Sequence, residues 1–472
     1  MSDIVTELES YVEKAFRKAE DLGVDFIDAR IQDYKYENIV YDNDRVKSYS
    51  YTTTTGVGFR VVYKGFHGYS STTIPTWDGI EKALLTAYRM AKALHHAGGE
   101  PSPLAEYAVV KAYSRSGYIK YPFEISDDEK IEVVKTLVST AKEVVGVVSA
   151  TARLGLQHDK RIVLNNEGTR VETDVVLTGF SVSAVARSDK GMEIVYDSKS
   201  RVSGWELVEY TDLNAMAKET GELAVKAAHA TVPKAGKYRV VLHPEVVGLL
   251  VHEALGHASE GDLVASDASV IKDKLGQKIG SDLVSIVDDG RHPDGYYVPF
   301  DDEGVEKQKT TIVENGVLKG YLAGRAESKK LGIEPTGNSR VMSYQHPLLV
   351  RQTNYYILPG DHTFDELVQE AKNGIYVTGK GARGGEVDPG AGTFTFGVGI
   401  SWKIENGEIM NPLRGVTLTG MILDVLKNIE ALGKDLHVYT SVFGGCGKSG
   451  QLVRVGDGGP YVLVGEIIVG GR

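Results

Sequence analysis

Two histidines and a glutamate lie within six residues of one another in the segment VHEALGHASEGD, which spans Val251–Asp262. Imidazole nitrogens are common ligands of Zn²⁺, and a carboxylate beside a ligating histidine can act as a general base. His252 and His257 are therefore candidate zinc ligands, and Glu253 is a candidate catalytic residue. These residue types together indicate metal-assisted hydrolysis.

The spacing of the two histidines is unusual for a zinc-binding helix. His252 and His257 are five residues apart, which separates their side chains by about 140° around a regular α-helix, whereas a spacing of four would give about 40°. Glycine readily ends or unwinds a helix, and Gly256 immediately precedes His257. We therefore expect the helix to break at Gly256, so that His257 reaches the metal from a loosened last turn.

The helix that carries these residues is predicted to be buried. Pro244 suits the first helical position, and Glu245 lies in the positive first turn. Burying two histidines and a glutamate costs free energy unless they are paired, and a shared metal ion would satisfy all three. A broad apolar face predicts the burial: Val246, Val247, Leu250, Val251, Ala254 and Leu255.

Spacing alone does not determine the third ligand that a catalytic zinc site requires. Glu260 and Asp262 are near in sequence, and carboxylates are common third ligands. Cys446, the single cysteine, lies far away in VFGGCGKSG, where Lys448 would favour the thiolate. On the residues alone, Cys446 and the two acids are equally good candidates, and Cys446 could also be an ordinary buried side chain. Lys448 and Ser449 could support the cysteine or contact a substrate.

The composition is that of a globular protein with an acidic surface. The chain has 472 residues, of which 42% are hydrophobic and 25% charged, and its formal net charge is −11. This charge disfavours nucleic acid and anionic membranes as partners. One cysteine excludes an internal disulfide. We see no signal peptide and no apolar run near the roughly 20 residues that span a bilayer, so we expect a cytoplasmic protein.

The pattern of helices and strands predicts an α+β protein with three regions. Residues 1–100 are predicted to form an N-terminal α/β domain with an antiparallel sheet, followed by a Gly/Pro-rich linker at 98–103. Residues 120–231 are predicted to form a middle α/β domain. Residues 232–472 are predicted to form a β-rich C-terminal domain that carries the candidate metal site, in which VENGVL and IENGEI each place Asn-Gly between apolar strands, a strong hairpin signal.

A glycine-rich stretch, Gly379–Gly399, is predicted to form ordered loops, because strand patterns flank it. An extended peptide could add to an exposed sheet edge of this region through backbone hydrogen bonds. The segment Gly384–Gly392 is a candidate lining for such a groove, although its glycines could equally be ordinary turn residues.

Two rival interpretations use the same residues. GGCGKSG is similar to the end of a phosphate-binding loop, but Val442 stands where that motif needs its first glycine, which disfavours nucleotide binding. The other alternative is a non-catalytic peptide-binding or scaffold subunit, in which the five-residue spacing marks an inactive site. Zinc analysis of the purified chain separates enzyme from scaffold, because only the enzyme would hold close to one ion.

Five segments in order resemble the TldD/PmbA family of metallopeptidases over essentially the whole chain: HEALGHASEGD, GVEKQKTTIVENGVLKGYL, PTGNSR, GGEVDPGAGTFTF and GGCGKSGQ. The HExxxH motif implies a TldD-type subunit, since the PmbA (TldE)-type companions lack it. The resemblance implies a Zn²⁺ peptidase that hydrolyses unfolded peptides or small proteins inside a chamber of two subunits, as a homodimer or with a PmbA/TldE-like companion. It also implies that His252, His257 and Cys446 bind the zinc and that Glu253 is catalytic. Gln352 departs from the family pattern, in which we expect methionine.

Overall fold

The structure is a computed structural model that describes residues 3–381 and 384–471. Within these ranges the α-helices are α1 (Asp3–Asp21), α2 (Trp77–His96), α3 (Asp127–Glu143), α4 (Glu206–Glu209), α5 (Leu213–His229), α6 (Pro244–Leu250), α7 (Gly261–Ala265), α8 (Arg325–Leu331), α9 (Phe364–Ala371) and α10 (Ile422–Lys427). The strands of the N-terminal half are β1 (Phe26–Asp42), β2 (Arg45–Tyr63), β3 (Phe66–Thr72), β4 (Lys111–Arg115), β5 (Val147–Asn165), β6 (Arg170–Ser188) and β7 (Gly191–Arg201). The remaining strands are β8 (Gly236–Leu242), β9 (Ile286–Asp289), β10 (Lys309–Glu314), β11 (Val317–Leu318), β12 (Ser339–Arg340), β13 (Leu349–Val350), β14 (Asn354–Ile357), β15 (Gly374–Val377), β16 (Gly384–Asp388), β17 (Thr393–Gly397), β18 (Ser401–Glu405), β19 (Glu408–Leu413), β20 (Val416–Met421), β21 (Ile429–Leu432), β22 (His437–Thr440), β23 (Cys446–Lys448), β24 (Gln451–Val453), β25 (Gly456–Gly459) and β26 (Val462–Gly471).

One seven-stranded sheet contains all the strands of the N-terminal half. Its order is β3-β2-β1-β5-β6-β4, with β7 paired to β6, and only the β4–β6 pair is parallel. The antiparallel β1–β5 pairing joins residues from the predicted N-terminal and middle domains. The two predicted domains therefore share a sheet, and the division of the chain into three domains stays a prediction.

Helices cover the sheet because each presents a regular apolar stripe. In α1, Leu8, Val12 and Ala15 recur at helical spacing and are buried together with residues of α2, β1, β2 and β5. α3 and α5 cover the part of the sheet formed by β5 and β6 in the same way. Thr76 and Ser126 fix the starts of α2 and α3, because each side chain accepts a hydrogen bond from a backbone N–H three residues later.

The C-terminal half is rich in strands. A nine-stranded sheet has the order β16-β17-β20-β26-β8-β15-β18-β19, with β21 paired to β26, and a six-stranded sheet has the order β11-β10-β9-β14-β25-β22. Both predicted Asn-Gly hairpins are confirmed: Asn315 and Asn406 adopt positive φ between β10 and β11 and between β18 and β19. The prediction of an α+β protein with a β-rich C-terminal region is also confirmed.

α6 lies in the core between the two C-terminal sheets. Val247 and Leu250 of this helix share one buried cluster with Leu242 of β8, Tyr355 of β14 and Phe396 of β17. The residues that follow α6 are therefore held by strands on both sides, which is how the fold positions the candidate metal centre. In the described part of the chain, no helix is both long enough and apolar enough to cross a bilayer.

Candidate metal centre

The helix that begins at Pro244 widens before it reaches the second histidine. α6 is followed by a π-helical turn, Val251–Gly256, and then by a single 3₁₀ turn, His257–Ser259. In the π-helical turn the N–H of His257 bonds to the carbonyl of His252, five residues earlier. Because the hydrogen bond spans five residues, side chains five apart lie one above the other. The π-helical turn thus solves the spacing problem of the two histidines.

The prediction that Gly256 breaks the helix is wrong, whereas the predicted loosened turn is present as the π-helical turn. Gly256 has helical backbone angles, φ −59° and ψ −51°. The glycine is needed for space: a Cβ at this position would lie 2.6 Å from Nε2 of Gln352 and closer still to its carbonyl oxygen. Nε2 of Gln352 donates a 3.1 Å hydrogen bond to the carbonyl of His252, the same carbonyl that accepts the π-helical hydrogen bond. Gln352 and Gly256 therefore support the widened turn together.

His252, His257 and Cys446 come together beside this turn. One potential ligand atom from each lies within 4.8 Å of the other two, and all three residues are buried. Sγ of Cys446 is 3.3 Å from Nε2 of His257, and the two imidazole rings are nearly perpendicular with centroids 5.3 Å apart. Cys446 is the first residue of β23, which forms a hairpin with β24. The turn of this hairpin contains Ser449, whose φ is 50°.

Glu260 and Asp262, the other candidates for the third ligand, lie on the far side of His257. Oε2 of Glu260 is 3.0 Å from Nδ1 of His257, the ring nitrogen that faces away from the cysteine. Asp262 is 2.7 Å from the ammonium of Lys448. The structure thus brings Cys446, and neither acid, to the shared face of the two histidines.

Glu253 lies between the buried cluster and open space. Its Oε2 is 3.8 Å from Nε2 of His257, and its side chain is 32% exposed, whereas that of His257 is 9% exposed. Glu253 and His252 both line a cavity of about 1210 Å³. The carboxylate can therefore reach a molecule in the cavity while it remains close to the cluster.

Electrostatic attraction between the Cys446 thiolate and the two imidazolium groups determines which protons the cluster holds. Burial opposes ionisation of Cys446, but the two histidines lower the pKa of its thiol to about 5. Burial also opposes the imidazolium forms, yet Cys446 raises the pKa of His252 to about 9, and Cys446 together with Glu260 raises the pKa of His257 to about 11. A cation that bound here would displace the imidazolium protons and keep the thiolate.

The donor set fits a zinc ion. Two imidazoles and one thiolate are among the ligand sets of catalytic zinc, which takes three protein ligands. Nδ1 of His252 is buried and has no hydrogen-bond partner among the described residues. Such an atom costs free energy unless a ligand satisfies it, so the cluster is better explained as a metal site than as three separately packed side chains.

Residues from several helices, strands and loops line the cavity. Glu245, Leu249 and Glu253 of the helix line it, as do residues of β7 and β22. Its volume is somewhat larger than the roughly 300–1,000 Å³ typical of small-molecule pockets. A smaller cavity of about 290 Å³ lies elsewhere, against Arg161 and Arg340, and none of the predicted site residues lines it.

Some features of the site were not visible in the sequence motif. Gln352 supports the turn from 100 residues away, and the side chain of Arg351 donates to the carbonyl of Cys446. Asp457 lines the cavity, and burial raises the pKa of its carboxyl to about 6. In the sequence, Gln352 stands out only as a departure from the family pattern, and nothing distinguishes Arg351 from an ordinary polar surface residue.

Three family models match this chain in order: PmbA/TldA metallopeptidase domain 1 over residues 27–91, the central domain over 120–228 and the C-terminal domain over 235–471. These matches cover well over half of the chain. With the site geometry they define its class: the chain belongs to the PmbA/TldA metallopeptidase family, and the TldD/PmbA prediction is confirmed.

Among three similar curated proteins, two carry TldD in their names. The chain is 36% identical to "Metalloprotease" of Methanothermobacter thermautotrophicus, covering 95% of this chain and 96% of the relative. It is 31% identical to "Zinc metalloprotease TldD homolog" of Saccharolobus solfataricus, covering 97% and 99%. It is 30% identical to "Metalloprotease TldD homolog" of Haemophilus influenzae, covering 95% and 93%.

Solved structures share the fold. TldE from Thermococcus kodakarensis superimposes with a TM-score of 0.78 at 19% identity, covering 98% of this chain and all of that one. A putative modulator of a DNA gyrase from Thermotoga maritima superimposes with a TM-score of 0.80 at 23% identity, with the same coverage. At these identities the likeness establishes the architecture alone.

Proposed function

We propose that this chain is a zinc-dependent peptidase of the TldD type, in which His252, His257 and Cys446 hold the ion and Glu253 is the catalytic carboxylate. The observation that carries the proposal is the buried cluster of two imidazoles and one thiolate at the wall of a 1210 Å³ cavity. A relative that is named as a zinc metalloprotease supports the same activity.

The ligands must be deprotonated to bind a metal. When bound, Zn²⁺ supplies positive charge that polarises a carbonyl oxygen and makes water more acidic. Cys446 is prepared for this role, because the neighbouring histidines lower the pKa of its thiol to about 5. The two imidazoles release their protons when the ion enters, so binding is expected to release protons to solvent.

Glu253 carries the proton that peptide hydrolysis must move. A carboxylate within reach of the reacting atoms can accept a proton from the attacking water and return it to the departing amine. Glu253 has the required access, because its side chain is partly exposed in the cavity and is 3.8 Å from Nε2 of His257. General acid–base catalysis of this kind contributes typically ~10²–10⁴-fold to the rate.

The cavity suits an extended peptide. In the described ranges, β7 pairs only with β6, and β22 pairs only with β25, so each strand has a free edge beside the cavity. A peptide can add to such an edge through backbone hydrogen bonds, which do not depend on its side chains. Gly384 lines the same cavity. These features favour unfolded peptides or small unfolded proteins as substrates.

A second subunit is expected to close the cavity. Met192, Ile194 and Tyr196 alternate along β7 and are 51%, 45% and 39% exposed, which leaves an apolar row next to the cavity. Exposed apolar patches of this kind mark interaction surfaces. The partner would be a second copy of this chain or a PmbA/TldE-like companion.

Zinc content and peptide digestion, measured on the same samples, test the proposal. Wild-type protein should contain about one zinc per chain and digest unfolded peptides, alone or with a PmbA/TldE-like companion. Glu253→Gln should keep the zinc and lose about 10²–10⁴-fold in hydrolysis. Glu222→Gln, a change on the exposed face of α5, is the matched control. Absence of zinc from the wild type, or full activity of Glu253→Gln, would refute the proposal.

A further inference from the structure

A buried carboxylate stands directly behind one of the candidate ligands. Glu260 is fully buried, and its Oε2 accepts hydrogen bonds from Nδ1 of His257 at 3.0 Å and from Nζ of Lys448 at 2.8 Å. Its other oxygen is buried without a hydrogen-bond partner in the described part of the chain. The charge of Glu260 is therefore supported mainly by these two contacts.

The side chain of Lys448 is also held in place by hydrogen bonds. Its ammonium donates to Glu260 at 2.8 Å, to Asp262 at 2.7 Å and to the carbonyl of Val350 at 3.1 Å, so each of its three hydrogens has an acceptor. The Lys448 side chain is only 11% exposed. Removing one partner of a buried ion pair leaves the other charge uncompensated away from water, which is strongly destabilising.

The Glu260–Lys448 pair joins two separate pieces of the site. Glu260 follows the π-helical turn and contacts His257, whereas Lys448 lies on β23, two residues after Cys446. Glu260 and Lys448 are 188 residues apart in sequence. A short ion pair between them fixes the distance between the helix end and the cysteine hairpin.

The contact to Nδ1 also determines how His257 can act. A ring nitrogen that donates to a carboxylate carries the proton, which leaves the other nitrogen free to bind a metal. In His257 the free nitrogen is Nε2, and it faces Sγ of Cys446 at 3.3 Å. Glu260 therefore selects the tautomer and the ring orientation that the cluster needs.

We propose that Glu260 and Lys448 are positioning residues that hold His257 and Cys446 in the geometry for metal binding before the ion arrives. The inference rests on the proposed zinc function and assigns two further residues to it. Neither residue is proposed to touch the substrate. Their effect is on the affinity for the ion, because a ligand set that is already arranged pays less conformational entropy when it binds.

Zinc affinity measured by competition with a chelator tests this inference. Glu260→Gln and Lys448→Met should each bind zinc about 10–100-fold more weakly than wild type, which is the usual effect of losing a partner of a metal ligand. Asp262→Asn is the matched control: it contacts the same ammonium but not His257, and it should stay within about threefold of wild type.

Cobalt spectra and the double variant separate positioning from general stability. In Lys448→Met loaded with Co²⁺, the sulfur-to-cobalt absorption should weaken, because the cysteine hairpin is no longer tied to the helix end; Asp262→Asn should keep it. If a single variant does not fold, Glu260→Gln/Lys448→Met removes both charges and should fold with the same loss of affinity. Wild-type affinity in the folded single or double variants would overturn the inference and leave the proposed function standing. A wild-type protein without zinc would overturn both.

Discussion

Replacing Gly256 by alanine tests the π-helical turn with one methyl group. The new Cβ would lie 2.6 Å from Nε2 of Gln352 and nearer to the other two atoms of its amide, so the glutamine must move or the turn must shift. If Gln352 moves, the carbonyl of His252 loses the 3.1 Å hydrogen bond that it now accepts. Either response disturbs the segment that aligns His252 with His257.

The magnitude follows from the two ways of relieving the clash. Holding Gln352 in place overpacks a buried site, which costs about 1–3 kcal/mol. Moving it leaves a buried amide without its partner, which also costs about 1–3 kcal/mol. We therefore expect Gly256→Ala to be destabilised by about 1–3 kcal/mol. If the zinc-free protein relieves part of this cost by shifting the turn, zinc binding must restore the alignment of the histidines. Zinc affinity should then fall by about tenfold for each 1.4 kcal/mol of the part that is restored on binding.

Chelator competition and denaturant unfolding measure the two effects. Gly447→Ala is the control, because a Cβ at Gly447, next to Cys446, meets no other atom within 4 Å. In Gly256→Ala/Gln352→Ala the shorter side chain makes room for the methyl group, so the combined loss should be smaller than the sum of the single losses. Wild-type zinc binding and unfolding of Gly256→Ala, or additive losses in the double variant, would contradict this prediction.

Two further predictions concern pH and assembly. Burial, and to a smaller extent Glu303, raise the pKa of the Glu327 carboxyl to about 7, so its contribution to stability is largest below the ordinary pKa of 4.5 and is lost as pH rises through 7. In urea unfolding, Glu327→Gln should therefore be more stable than wild type at pH 8 but not at pH 4.5. A stability difference that does not change with pH would contradict this prediction. Ile194→Asp puts a charge into the exposed apolar row of β7 and should weaken association with the second subunit in light scattering without changing zinc content; undiminished association would show that the row is not in the interface.

The fold class and the local motifs were predictable because they depend on short stretches of chain. Asn-Gly between apolar strands specifies a hairpin locally, and both hairpins formed. The pairing of β1 with β5 could not be derived in this way, since apolar alternation shows that a strand has a buried face but not which strand lies beside it.

The sequence indicated side chains that the fold brings together, but not the backbone that aligns them; their role as metal ligands stays a prediction. The π-helical turn is contacted by Gln352, which lies 100 residues away in sequence, so local sequence does not reveal this support. The third ligand was ambiguous for the same reason: Glu260 is close in sequence but lies at Nδ1 of His257, whereas Cys446 is 189 residues away and lies at Nε2. Which of the two ring nitrogens of His257 each side chain approaches depends on the tertiary structure and does not follow from sequence spacing.

X-ray absorption at the zinc edge of the purified wild-type chain tests the central claim most directly, because it reports the atoms bound to the ion. With His252, His257 and Cys446 as the ligands, the spectrum should show one sulfur at about 2.3 Å and two imidazole nitrogens at about 2.0–2.1 Å for each zinc. A shell of nitrogen and oxygen without sulfur, at full zinc occupancy, would contradict the account.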